Sequence, residues 1–264
     1  MKQFNIKAFL ITIFVGLVIT SVFMLFVRTE FATALFPVTA LWAAFIVTGF
    51  FVGYFSNGVT FLEPGFGSII LAAILFFMLP YFEIDGFYGI WDSDWLLIYM
   101  NAVIFTFAGA WLGEKFENTS LKSDQLLATS FDWSWMIAGT LMGIISSIII
   151  VLLLDLLLGP DPESFLIPFV LALFITGIII GWKSPGYTVI EAGVAGFLTL
   201  TILLNVYRMT LQTEEPIGSI AIIVGLMVGF LETYFGGAVG EKIQEYYDKK
   251  RNKKHKRKEK IAKQ

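Results

Sequence analysis

A threonine followed three positions later by a glutamate occurs twice in the same setting, at Thr60/Glu63 and Thr188/Glu191. The surrounding pattern is Gly-x-x-x-Gly, then Ser-x-Gly-x-Thr-x-x-Glu-x-Gly, over 49–65 and again over 177–193. Two chemistries fit. One is local: in a capping box the Thr hydroxyl accepts the N3 amide and the Glu carboxylate reaches back to the N-cap amide. Ser56, Gly58, Ser184 and Gly186 suit the turn before such a cap, glycine by allowing positive φ and Pro185 by rigidity. The other is a proton or cation site formed by Glu63 and Glu191, because ionisable groups at membrane depth are expensive and commonly mark ion paths. An anion at these helix N-termini fits less well, since the glutamates already put negative charge there.

Glu232, within "GFLETYFGG", is the third candidate for an ion or solute path. A charge near the bilayer centre costs about 2.5–3.5 kcal/mol or more. Glu232 is therefore expected to be neutral or to face a partner, with Thr48, Thr140 and Thr176 at similar depth as hydrogen-bonding candidates.

Other chemistries lose their residues. Cysteine is absent, and the one histidine, His255, lies in a lysine-rich tail. Thiol catalysis, disulfides and Cys- or His-ligated metals have nothing to build on. The sequence contains no H-E-x-x-H, G-x-x-x-x-G-K-[ST] or G-x-S-x-G, the spacings that metalloproteases, P-loop enzymes and serine hydrolases need. Glu83, Asp85, Asp92 and Asp94 are interspersed with Phe87, Tyr88, Trp91 and Trp95, which reads as a solvated loop beside an interfacial aromatic belt rather than a Ca²⁺ loop. No enzyme, cofactor or metal site is expected.

The elements that must position the glutamates follow from composition. The 264 residues are 57% hydrophobic and only 15% charged, too few charges for a water-facing surface, where about 25% is usual. An all-α, polytopic integral membrane protein is expected. Eight apolar runs approach the roughly 20 residues needed to span a bilayer: 7–27, 37–55, 64–80, 95–113, 134–158, 165–183, 190–206 and 217–240. The first is followed by Ala32-Thr33-Ala34, like a signal-cleavage site, but is longer than a signal core and reads as a retained helix.

With eight crossings and a cytoplasmic tail, Lys2, Lys7, Lys115, Lys122, Lys183 and the cluster from Lys242 to Lys263 share one side. Only Arg28 and Arg208 face the other, beside Glu30, Asp161, Glu163, Glu214, Glu215 and the acidic loop. The positive-inside rule then puts both termini in the cytoplasm of a cell-membrane protein. In this cysteine-free chain, Ile90→Cys and Pro162→Cys are expected to react with an impermeant thiol reagent from outside, and Ser120→Cys and Lys250→Cys are not. The reverse labelling overturns this orientation.

The glycine-rich pattern belongs to an internal duplication. At an offset of 128, residues 47–65 and 175–193 share eight identities in nineteen positions, where unrelated stretches give about one. At an offset of 127, Thr106, Gly109, Gly113, Glu114 and Lys115 match Thr233, Gly236, Gly240, Glu241 and Lys242. The expected organisation is a four-helix repeat over 1–127, a second over 128–243 and a basic tail over 244–264. An even number of crossings makes the repeats parallel, with a pseudo-two-fold axis along the membrane normal. The spacings Gly49/Gly53, Gly177/Gly181, Gly109/Gly113 and Gly236/Gly240 predict close helix packing, as do Gly139/Gly143 and Gly225/Gly229.

The tail "KKRNKKHKRKEK" (249–260) needs no fold of its own. Its expected partners are anionic lipid headgroups rather than nucleic acid. The expected function is a small transporter or channel for an ion or solute. The alternative is a non-catalytic membrane scaffold or assembly subunit, packing against partner membrane proteins or a second copy of itself.

Overall fold

The computed structural model describes residues 4–26, 35–55, 62–78, 95–119, 131–158, 166–210 and 219–262. They form α1 (Ile6–Phe26), α2 (Leu35–Phe55), α3 (Leu62–Met78), α4 (Trp95–Thr119), α5 (Trp133–Leu158), α6 (Leu166–Lys183), α7 (Val189–Thr210) and α8 (Ser219–Ala262). No strand occurs among the described residues. Among the described residues, three stretches are long and apolar enough to cross a membrane: Ile6–Leu25, Trp133–Leu154 and Ile222–Tyr247. Shorter apolar stretches lie at Ala40–Phe55, Glu63–Met78, Pro168–Lys183 and Val189–Asn205.

Local sequence sets several helix ends. Asn5 Oδ1 accepts the amides of Lys7 (3.1 Å) and Ala8 (3.2 Å), capping α1. Asp132 Oδ1 does the same for α5, accepting the Ser134 amide at 2.8 Å and the Ser134 hydroxyl. α6 stops at Lys183, just before Ser184-Pro185-Gly186, because proline disfavours helical geometry in the residue preceding it.

The chain divides into two compact units. The first comprises Met1–Leu121, Ile144–Phe169 and Ile202–Pro216. Its core is built from Phe23 and Met24 of α1, Leu41 and Phe45 of α2, Leu71 and Leu75 of α3, and Ile148 and Leu152 of α5. Here α2 and α4 meet backbone to backbone. A Cβ at Gly49 would run into the Thr106 carbonyl oxygen and lie 2.8 Å from the Ala110 amide nitrogen. One at Gly53 would strike the Ala110 carbonyl, and Gly109 and Gly113 face the carbonyls of Ile46 and Phe50 in the same way. Such close approach gives the two backbones extensive dispersion contact, which helps hold the helices together.

The second unit comprises Lys122–Gly143, Val170–Thr201 and Ile217–Gln264. α6 and α8 approach at Gly177 and Gly181, which face the Thr233 and Gly237 carbonyls, and at Gly236 and Gly240, which face those of Phe174 and Ile178. α5 and α7 approach where a Cβ at Gly139 would lie 2.7 Å from that of Ala195. One turn on, the Thr199 hydroxyl donates to the Thr140 carbonyl at 3.3 Å. Gly225 departs from the expected packing pairs, since nothing lies within 4 Å of a Cβ built there. Its helix turns an apolar stripe outward at that level, with Ile223, Val224, Met227, Val228 and Leu231 all exposed.

The basic tail also departs from expectation. Rather than lacking a fold, it continues α8 without a break to Ala262. Beyond Gly240 there is no glycine or proline, and Lys, Arg, Glu and Gln are good helix formers. Lys249 and Glu245, one turn apart, add a surface ion pair at 2.5 Å.

Candidate functional site

Glu63 lies in the first turn of α3 and Glu191 in the first turn of α7. Both are buried, at 1% and 4% exposure, which for glutamate requires specific partners. Those partners are not the ones a capping box provides. Glu63 Oε1 accepts the Asn5 amide at 2.7 Å, and Glu191 Oε1 accepts the Asp132 amide at 2.9 Å. Asn5 and Asp132 are the residues capping α1 and α5, so each glutamate closes the first turn of a different helix, 58 and 59 positions away in sequence. Two helix N-termini therefore converge on each carboxylate.

The N-cap amide of α7 takes another acceptor. Thr188 N donates to Glu241 Oε1 of α8 at 2.7 Å. The Thr188 hydroxyl pairs with the Ser184 hydroxyl, and Ser184 Oγ also donates to the Gly186 carbonyl at 3.3 Å. Gln244, one turn beyond Glu241, donates from Nε2 to the Ser184 carbonyl at 2.9 Å. Residues of α8 thus bind the turn between α6 and α7 at both its edges. The expected box at Thr188/Glu191 is replaced by two bonds between helices, because nearby helices present acceptors and amides of their own. Ser56, Gly58 and Thr60 lie outside the described residues, as does the acidic loop at 83–94.

No protein-family model, curated protein or solved structure matches this chain. The chemistry of the site is therefore read from its own atoms.

Glu63 Oε2 is buried without a hydrogen-bond partner among the described residues. A carboxylate oxygen in that state leaves lone pairs that a proton, a cation or a water can fill. Glu232 is not brought into such a setting. It is half-buried, on the flank of the exposed stripe of α8, and its side chain makes no hydrogen bond among the described residues. The hydroxyls expected to meet it bond within their own helices: Thr48 to the Ala44 carbonyl (2.7 Å), Thr140 to Met136 (3.0 Å) and Thr176 to Ala172 (2.8 Å).

Asn5, Asp132, Glu241 and Gln244 escape sequence reasoning as site residues. A signal for the first two exists: they stand 127 positions apart, the offset of the second repeat match, and each is an Asx residue just before an apolar run.

Proposed function

We propose that the chain is a multi-pass cell-membrane protein of eight crossings that moves protons or a small cation, with Glu63 and Glu191 as the carrying carboxylates. In this reading it consists of two parallel four-helix repeats with both termini in the cytoplasm. The observation that carries the functional part is Glu63: a fully buried carboxylate at converging helix ends, with one oxygen bonded and the other without a partner. Support for the repeats comes from equivalent bonds. Asn5–Glu63 and Asp132–Glu191 are related by the offsets of the sequence match, as are the glycine approaches of α2 with α4 and α6 with α8. We assign the path to these two glutamates rather than to Glu232.

The test is proton flux in liposomes containing a pH-sensitive dye, with the membrane potential clamped. Wild-type protein is expected to dissipate an imposed pH gradient at least about tenfold faster than empty liposomes. The Glu63→Gln/Glu191→Gln double variant, which keeps an acceptor for each amide but cannot ionise, is expected to match empty liposomes. Wild-type vesicles as tight as empty ones overturn proton movement, and a double variant as fast as wild type overturns the role of the glutamates.

A second reading, a membrane scaffold, draws on the outer stripe of α8, apolar from Ile220 to Phe235 and leading directly into the basic segment. Stoichiometric recovery of one membrane protein with this chain in mild detergent, lost on replacing Met227 and Leu231 by charged residues, is its expected signature.

A further inference from the structure

Hydroxyls inside membrane helices have a default partner, the carbonyl four residues back. Thr12, Thr48, Thr140, Thr176, Thr201 and Thr233 all use it. Thr20, Thr106 and Ser147 do not. Their oxygens are buried and lack any hydrogen-bond partner among the described residues, and so does Trp42 Nε1. A buried polar atom without a protein partner, in a setting where bulk water is absent, is where internal water is found.

These atoms share a unit and are spread along its helices. Thr20, Trp42, Glu63, Thr106 and Ser147 all belong to the first compact unit. Glu63 Oε2 marks one end, beside the start of α1. Thr106 is level with Gly49, six residues from the end of α2 at Phe55, or about 9 Å along the helix. Trp42 lies thirteen residues from that end, about 20 Å. Thr20 and Ser147 each lie fourteen residues from the starts of α1 and α5, about 21 Å. Thr20 and Ser147 are also related by the 127-residue offset. Their neighbours Phe23, Met24 and Ile148 enter the same core cluster, so the two hydroxyls interrupt one apolar core from two helices.

We infer that the orphan atoms of Glu63, Thr106, Thr20, Trp42 and Ser147 hold a file of internal water through the first unit, and that its cargo is the proton. Hydroxyls and an indole N–H offer water both donors and acceptors without binding a metal ion tightly, which suits a relay of protons better than a cation cage. This inference rests on the proton-moving reading above.

Two measurements test the file. In the cysteine-free protein, Thr20→Cys, Thr106→Cys and Ser147→Cys are near-isosteric. Their thiols are expected to react with a small water-borne methanethiosulfonate at least about tenfold faster than thiols at Ala44→Cys, Ala72→Cys and Ala102→Cys, which are equally buried. Radiolytic hydroxyl-radical labelling of the wild-type protein avoids any folding defect. Trp42 is expected to oxidise several-fold faster than Trp135, which is 1% exposed. Equal thiol rates at both sets of sites, or a Trp42 that labels no faster than Trp135, overturn the file. Flux without hydration puts the path elsewhere and leaves the glutamates in place. Hydration without flux keeps the water and removes the proton as cargo.

Discussion

Gly49→Leu is expected to leave almost no folded protein. The added side chain meets main chain, the Thr106 carbonyl oxygen and the Ala110 amide nitrogen, so no rotamer change on the opposing helix relieves it. Overpacking that side chains can absorb costs about 1–3 kcal/mol. Here α2 and α4 must move apart, and the neighbouring close approaches at Gly53, Gly109 and Gly113 are lost with them. Size-exclusion chromatography of a fluorescent fusion in mild detergent reads the result as loss of the monodisperse peak. Gly225→Leu is the matched control: the same change on α8, where nothing lies within 4 Å of the new Cβ, is expected to elute as wild type. If Gly49→Leu behaves like Gly225→Leu, backbone contact between α2 and α4 is not what holds the first unit together.

The second large effect is expected at the glutamates themselves. Glu191→Ala removes the acceptor of the Asp132 amide, and Glu63→Ala that of the Asn5 amide, each in a bond that is partly buried. Losing a hydrogen bond of this kind costs about 0.5–1.5 kcal/mol. Each alanine variant is therefore expected to unfold at clearly lower temperature in detergent, and both together by roughly the sum. The glutamine variants keep a carbonyl oxygen for the amide and are expected to lose much less. Stability and flux thereby separate: alanine reports the bond between helices, glutamine the ionisation. An alanine variant as stable as wild type rules out a structural role for the bond.

What was legible in the sequence follows from the range of each signal. The eight apolar runs are helices because hydrophobic length is local information, and the glycine pairs on α2, α4, α6 and α8 meet backbones because a missing Cβ can be read at a single position. The pairing of Glu63 and Glu191 was legible only in part. A capping box looks three residues back, whereas the amides that donate to these carboxylates lie 58 and 59 residues away. Choosing Asn5 and Asp132 requires knowing which helix starts end up side by side. Gly225 has the right spacing and no neighbour, since spacing does not say which way a helix faces. The helical tail was missed because charge density argues against a fold, while helix propensity in a segment already joined to a formed helix argues for one; with nucleation already done, propagation adds one residue at a time.

The unbroken course of α8 has a mechanical consequence. From Gly240 to Ala262 it runs 22 residues with no hinge, an arm of about 33 Å. A tilt of about 10° at the base displaces the tip of such an arm by about 6 Å. The base carries Glu241 and Gln244, which grip the turn between α6 and α7, so force applied to the charged tip arrives at two hydrogen bonds less than 3 Å long.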